Sequence, residues 1–322
     1  MIWLRRLALV GFGTFLGLAL AEGGARLIWE RPWYDELVSA QRDSETHAYT
    51  RNQWNLRDRE YPVEKPPGRQ RVLMVGDSFT FGQGVYDDAA IFPEILERRL
   101  SADPRFAPGV DILNGGLPGS LTDEWLRVWQ ATAEDFDPDL LLIVFFLRDG
   151  TRTASVPEFF DRIRDEVSSR NRRSRAYRYS YLYRLFRDAR DREQVAKHYT
   201  ERFRAAYFGP PHQTSEWRRA QANLLSLRDL AAARGTKVGF VVFPVLVQLD
   251  DDYPFREISQ LIETFAKKNG FPTYNLLPDF MGRDATDYWV SGFDQHPNVQ
   301  GHELVADRLE PFLSSLLTPP VP

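Results

Sequence analysis

A seven-residue apolar run, LLLIVFF at 140–146, limits the possible folds of this chain more than any other feature. A strand without polar alternation is buried on both faces, which is typical of a parallel sheet covered by helices. Similar short runs occur at 71–75, 110–113 and 237–243, and segments with helical periodicity lie between them. The alternation predicts an α/β fold with a parallel sheet, whose functional residues lie at the carboxyl ends of the strands.

The helices are predicted from apolar residues spaced three and four apart, which place one apolar face against the sheet. Residues with this spacing form four groups: Phe92, Ile95, Leu96 and Leu100; Trp125 and Trp129; Ile258, Leu261, Ile262 and Phe265; and Val305, Leu309 and Phe312.

Residues 151–216 interrupt the alternation and contain the basic stretch RNRRSRAYRYSYLYRLFRDARDR. We expect a helical insertion that forms a cap beside the site. A basic run is in most cases a solvated helix face, and contact with an anionic polysaccharide or with lipid headgroups is the alternative.

The composition excludes several classes of function. With 43% hydrophobic and 13% aromatic residues among 322, the chain has ample material for a packed core. A net charge of -4 provides no overall attraction for nucleic acid, and the absence of cysteine removes disulfides, thiolate metal sites and cysteine nucleophiles. None of the five histidines has zinc-motif spacing, and Leu249–Tyr253 lacks the alternation of a calcium loop. We therefore expect no metal and no cofactor.

The N-terminus predicts export. Arg5 and Arg6 precede an unbroken apolar run from Leu7 to Ala21, which ends at Glu22. Positive charges before such a run favour an N-terminus retained inside the cell. The run alone would span roughly 22 Å, so a membrane-spanning helix needs flanking residues as well.

We expect residues 1–29 to form a single-pass membrane anchor, with the following domain outside the cytoplasm. Cleavage of a signal peptide near Ala21, after a small-x-small sequence, is the alternative and would release a secreted protein. Residues 30–69 are polar, aromatic and proline-containing and are predicted to be a stalk, and residues 70–317 are the predicted domain.

Two polar motifs are candidates for a catalytic site. GDSFTFGQG at 76–84 follows the first strand, and Ser78 in it is either a turn residue or a nucleophile. GFDQHPNVQGH at 292–302 places Asp294 two residues before His296, so both side chains share one face of an extended segment. The carboxylate can then orient the imidazole as a base for a serine hydroxyl.

Four blocks occur in order along the chain: Gly76-Asp77-Ser78, NGGLPG, FFLRDG and DQHPN. From about residue 70 to about residue 315 the chain thereby resembles the SGNH (GDSL-type) hydrolases, and most of all their membrane-anchored bacterial members. The resemblance implies a flavodoxin-like three-layer α/β/α sandwich with a parallel sheet. It also implies a bacterial protein anchored in the inner membrane, with its domain on the periplasmic or extracytoplasmic side.

The resemblance also implies roles for individual residues. Ser78 matches the nucleophile, His296 the general base and Asp294 its orienting partner, although many members have two residues rather than one between the last pair. Gly116 and the backbone N–H of Ser78 match donors of the oxyanion hole. The third side-chain donor of the family, an asparagine, falls on Arg148, which Asp149 follows.

Arg148 leaves two outcomes open. Its guanidinium can stabilise the oxyanion or clamp an anionic substrate, or a carboxylate such as Asp149 can hold it away and leave the site one donor short.

The resemblance implies an exported serine hydrolase that acts on carboxylic esters, among them O-acetyl groups of envelope or extracellular glycans. One alternative is an O-acyltransferase with the same triad. The other is a catalytically silent glycan-binding or scaffold protein, which the loss of the asparagine at Arg148 keeps open.

Overall fold

The chain divides into two compact units, one of residues 1–39 with 156–199 and the other of residues 40–155 with 200–322. The residues that the computed structural model describes are 2–29, 32, 49–151, 156–292 and 294–317.

The second unit is built on a five-stranded parallel sheet with the order β2-β1-β3-β4-β5. This is the flavodoxin-like order, so the predicted fold class is confirmed. The sequence did not predict β5, because three residues are too few to show a periodicity. The strands are β1 (Gln70–Gly76), β2 (Val110–Gly116), β3 (Leu140–Phe146), β4 (Lys237–Phe243) and β5 (Thr273–Asn275).

Helices cover the sheet in two layers. The helices of the chain are α1 (Ile2–Ile28), α2 (Ser78–Phe81), α3 (Phe92–Ala102), α4 (Thr122–Phe136), α5 (Val156–Arg173), α6 (Arg175–Tyr179), α7 (Tyr181–Phe208), α8 (Ser215–Ala233), α9 (Arg256–Lys268), α10 (Leu277–Phe280) and α11 (Val299–Leu316). Helix α3 packs against α11, and α4 packs against α8, and each of these pairs also contacts the sheet. All seven residues of β3 are buried, as its uninterrupted apolar sequence predicts.

The predicted stalk is wrong for residues 49–69, which pack against the sheet unit. Arg57 is 1% exposed and donates hydrogen bonds to the carbonyls of Phe81, Gly82 and Val85. The prolines of this segment therefore shape a loop laid on the domain rather than a free linker. Of the remaining predicted stalk residues, 30, 31 and 33–48 lie outside the described residues.

The first unit contains α1 and, in the predicted insertion, α5, α6 and the first part of α7. Most of the insertion is helical where it is described, with a turn at 209–214, and residues 152–155 lie outside the described part. Its place beside the site stays a prediction. Within the described residues one helix, Arg5–Ile28, is long and apolar enough to cross a membrane, with a mean hydropathy of 1.6.

Candidate active site

Ser78 is the first residue of α2, directly after the end of β1. Asp77 caps this short helix, because its Oδ1 accepts the backbone N–H of Phe79 at 2.9 Å. The turn is tight at Gly76, where a β-carbon would collide with the side chain of Thr80. These contacts place the serine hydroxyl at the carboxyl edge of the sheet, where the strand pattern predicts functional residues.

Asp294 and His296 lie on a loop that leads into α11. An antiparallel bridge between Trp289 and Pro297 closes the loop, and Val290 donates its N–H to the His296 carbonyl at 3.0 Å. The loop therefore fixes the backbone of the two residues before the helix begins.

The structure brings the three predicted site residues together. His296 Nε2 lies 2.9 Å from Ser78 Oγ, and His296 Nδ1 lies 2.5 Å from Asp294 Oδ1. The same Asp294 oxygen also accepts the His296 backbone N–H at 3.1 Å. The carboxylate thus holds the imidazole from two directions, which favours the tautomer whose Nε2 accepts a proton from serine.

The charge of Asp294 is maintained although the residue is largely shielded from water. Burial acts to raise the pKa of Asp294, but hydrogen bonding to His296 and the charge of that imidazole outweigh burial. The net shift of the pKa is downward, so Asp294 is an anion at neutral pH and can stabilise an imidazolium.

The prediction that Gly116 is an oxyanion donor needs correction. Its N–H donates to Asn114 Oδ1 at 3.0 Å in a buried position, so this donor is already occupied. A β-carbon at Gly116 would also collide with the backbone nitrogen of Phe81. Close packing of the end of β2 against α2 is therefore the reason for a glycine at this position.

Gly119 is a candidate oxyanion donor that the sequence reasoning missed. It lies in a turn that is tied to the end of β1, since Leu117 N and Ser120 Oγ both donate to the Gly76 carbonyl, at 3.0 and 3.1 Å. Gly119 is exposed, has a φ of +73° and has open space beside its Cα. Among the hydrogen bonds of the described residues, its N–H donates to none, so it is available to a ligand.

Arg148 contacts the nucleophile motif itself. Its Nη2 donates to Asp77 Oδ2 at 3.0 Å, and the same oxygen lies 3.4 Å from Ser78 Oγ. The Asp77 side chain is 1% exposed and that of Arg148 is 13% exposed. The carboxylate that holds this guanidinium is therefore Asp77, where the sequence had suggested Asp149.

Asp149 has a different role. Its Oδ2 accepts the backbone N–H of Phe146 at 2.8 Å, and its Oδ1 has no hydrogen-bond partner within the described residues. Burial, and after it the charge of Asp77, raise the pKa of Asp149 well above its ordinary value, against the opposing effect of Arg148. Asp149 therefore closes the turn after β3, in a position where burial opposes its ionisation.

Two other polar residues of the GFDQHPNVQGH motif are structural. Asn298 caps α11 by accepting the Gly301 N–H at 3.0 Å, and His302 is fully buried and accepts the Phe92 N–H at 3.2 Å. Burial lowers the pKa of His302 to about 3, so it stays neutral. In the described part of the chain, no three His, Cys, Asp or Glu residues cluster as metal ligands would.

Comparison with solved structures finds similar folds at low sequence identity. A structure of TesA is 17% identical with a TM-score of 0.47, covering 77% of this chain and 100% of its own. Axe2, an acetylxylan esterase from Geobacillus stearothermophilus, is 14% identical with a TM-score of 0.44 and covers 77% of this chain and 94% of its own. A two-domain esterase active on acetylated mannans is 14% identical with a TM-score of 0.46, covering 79% of this chain and 51% of its own.

Comparison with curated protein sequences gives no match. The sequence profile of the GDSL-like lipase/acylhydrolase family, however, matches residues 74–304, which include all four blocks and most of the sheet unit. The chain belongs to this family and is an ester-hydrolysing enzyme.

Proposed function

We propose that the protein is a membrane-anchored esterase in which Ser78 is the nucleophile, His296 the general base and Asp294 its orienting partner. The continuous contact from Asp294 through His296 to Ser78 Oγ supports this proposal, because each distance allows a hydrogen bond. A nucleophile, its base and an orienting carboxylate are the three parts that serine catalysis requires.

In the first half of the proposed reaction, Ser78 Oγ attacks the ester carbonyl and its proton passes to His296 Nε2. The carbonyl oxygen gains a negative charge, which the N–H groups of Ser78 and Gly119 stabilise in this proposal. The ester C–O bond then breaks, and His296 returns the proton to the departing alcohol. Ser78 is left acylated.

In the second half, a water molecule attacks the acyl-enzyme while His296 takes one of its protons. Collapse of the second intermediate breaks the bond to Ser78 Oγ, which regains its proton from His296. A carboxylic acid leaves. Asp294 stays ionised throughout and stabilises the imidazolium that forms twice in the cycle.

The proposed substrate is an O-acetylated glycan of the cell envelope or of the extracellular space. The proposal follows from the family together with the proposed location. The location is supported by Arg5 and Arg6, which precede the apolar helix, and by the exposure of side chains such as Leu9 and Phe15 along it.

The test of the activity uses full-length protein in detergent, with 4-nitrophenyl acetate and a panel of acetylated glycans. We expect the wild type to release acetate and a fluorophosphonate to label Ser78. Replacement of Ser78 should end the release of acetate. Equal labelling of the wild type and Ser78→Ala would contradict the assigned nucleophile. Product formation that depends on a sugar acceptor would indicate an O-acyltransferase.

The test of the location is a C-terminal alkaline phosphatase fusion. An active fusion that stays with washed membranes is expected for an anchor with its domain outside the cytoplasm. A shorter soluble chain that begins near Glu22 would instead demonstrate signal cleavage.

A further inference from the structure

Within the first unit, the end of α1 caps another helix. Glu22, directly after the apolar run of α1, accepts the backbone N–H groups of Tyr181 at 2.8 Å and Leu182 at 3.1 Å. It also accepts the hydroxyl of Ser180 at 2.8 Å. The first N–H groups of a helix have no partner within that helix, so this carboxylate satisfies the start of α7.

The contact between the two helices continues for two more turns of α1. Trp29 Nε1 donates to Asp188 Oδ2 at 3.1 Å, and the guanidinium of Arg26 lies 5.0 Å from the centre of the Tyr181 ring. Ala25, between these residues and on the same face, is 3% exposed. The beginning of α7 therefore lies along the last turns of α1.

This contact determines where the surrounding surface would meet a bilayer. The apolar run of α1 ends at Ala21, so Glu22 lies at the edge of the hydrocarbon region when the flanking residues that complete the span are those before Leu7. The α6–α7 junction, which Glu22 contacts, then lies at the level of the lipid headgroups.

The composition of residues 170–186 fits that level. The segment contains six arginines and no acidic residue, and Arg172, Arg173, Arg175 and Arg178 are exposed. It also exposes Tyr179, Leu182 and Phe186, which are spaced three and four apart, with exposed fractions of 69%, 36% and 61%. Aromatic side chains with arginines are typical of the interface between a membrane and water.

We propose that residues 170–186, here called the headgroup surface, rest on the anionic headgroups of the bilayer that α1 spans. The proposal rests on the membrane anchor of the proposed function. A bilayer explains both the positive charge and the exposed apolar side chains, whereas an anionic polysaccharide explains the charge alone. Contact with lipid at α1 and at the headgroup surface would hold the first unit to the membrane at two places.

The test uses the full chain in nanodiscs of phosphatidylcholine and phosphatidylglycerol. Because the chain has no cysteine, a single introduced cysteine accepts one environment-sensitive fluorophore. The four variants are Tyr179→Cys, Phe186→Cys, Leu16→Cys and Leu230→Cys. Lipids with a nitroxide at the headgroup report proximity to the surface, and lipids with a nitroxide on the acyl chain report depth. Leu230, an exposed residue of the sheet unit, is the reference.

We expect headgroup nitroxides to quench the labels at 179 and 186 several-fold more than the label at 230. Replacing Arg172, Arg173, Arg175 and Arg178 together by glutamine should weaken this quenching, and hydrolysis of a soluble ester should be unchanged.

A label at Leu16 that acyl-chain nitroxides do not quench would overturn the anchor and the headgroup surface with it. A second outcome would overturn the headgroup surface alone. In that outcome the label at 16 is quenched by acyl-chain nitroxides, but the labels at 179 and 186 are quenched no more than the label at 230. If the lipids do not quench these labels but dextran sulfate shifts their emission, the surface would be assigned to a polysaccharide instead. Because ester hydrolysis is measured separately, its loss would contradict the catalytic proposal and not this one.

Discussion

Ser78 Oγ contacts two aspartate-containing pairs that differ in what they can do with a proton. His296 Nε2 lies 2.9 Å away and is held by Asp294, while Asp77 Oδ2 lies 3.4 Å away and is held by Arg148. An imidazole gains and loses a proton near neutral pH, whereas a guanidinium keeps its charge at every pH at which proteins fold. The imidazole also lies closer to Ser78 Oγ than the Asp77 carboxylate does, which supports His296 as the proposed base.

The exposure of the side chains also distinguishes the two pairs. The side chains of Asp294 and His296 are 12% and 23% exposed, and those of Asp77 and Arg148 are 1% and 13% exposed. The more accessible pair faces the reacting groups, and the more buried pair stabilises the turn that carries Ser78. Arg148 thus has a structural partner in the nucleophile motif, which gives a physical reason for a cation at a position where relatives have asparagine.

The largest effect is expected from removing the nucleophile or the base. Ser78→Ala and His296→Ala should each lower kcat on the order of 10⁶-fold, and the double variant should be no worse, because the two residues act as a unit. Steady-state hydrolysis of 4-nitrophenyl acetate measures kcat, and circular dichroism checks the fold. Activity in Ser78→Ala above the rate in buffer would contradict the role of Ser78.

Asp294→Asn should cost about 10⁴-fold in kcat, because an amide at this position favours the wrong imidazole tautomer. Asp284→Asn is a matched control, since Asp284 is an exposed aspartate that caps a turn through Thr286 and contacts neither Ser78 nor His296. The control should keep full activity. A loss in both variants would show that the loop responds to any change of charge, and would contradict a specific role of Asp294.

The sheet and the three site residues were accessible to sequence reasoning because each depends on local pattern. The strand at 140–146 is apolar throughout, and Asp294 and His296 are two residues apart, so their meeting needs only an extended backbone. The order of the four blocks then placed Ser78 and His296 at the same edge of the sheet, although 218 positions separate them.

The errors concern partners that no local pattern reveals. Gly116 was assigned from its block, but its N–H is occupied by Asn114, and the glycine that remains open is Gly119. Asp149 or another carboxylate was expected to hold Arg148, and only the structure identifies Asp77, which is 71 positions away in the sequence. The loop at 49–69 has the composition of a linker, but its buried Arg57 is satisfied by backbone carbonyls of Phe81 and Val85, which are distant in the sequence.

The Arg148–Asp77 pair should affect both the stability of the fold and the rate of ester hydrolysis. Arg148→Gln leaves the Asp77 carboxylate buried without its cation, which should lower the free energy of unfolding by about 3 kcal/mol. A shift of the Ser78 turn should lower kcat by about 10²-fold. Thermal unfolding and ester hydrolysis measure the two effects.

The double variant Asp77→Asn/Arg148→Gln tests the pairing. It should be more stable than the sum of the single variants predicts, because both charges are removed together. Additive losses would contradict a coupled pair. Arg148→Asn installs the residue found in the family, and a large gain of activity over a weak wild type would show that the natural chain is a silenced member.

The smallest effect is expected at Asp149, the buried aspartate whose pKa is raised by burial. Asp149→Asn keeps the acceptor for the Phe146 N–H, so the stability near pH 5 should change by less than about 1 kcal/mol. The pH dependence should differ. Between the ordinary pKa of 3.8 and the higher folded value, folded Asp149 keeps a proton that the unfolded chain has released, so the wild type loses stability as pH rises.

The asparagine variant lacks that loss and should become more stable than the wild type as pH increases through this range. Glu94, whose pKa is raised to about 7 by burial and the charge of Glu97, adds a decline in the same direction to both proteins. The difference between the two melting curves at each pH therefore isolates Asp149. A constant difference from pH 5 to pH 8 would mean that Asp149 is ionised in the folded protein, and that the site beside Ser78 holds two carboxylates for one guanidinium.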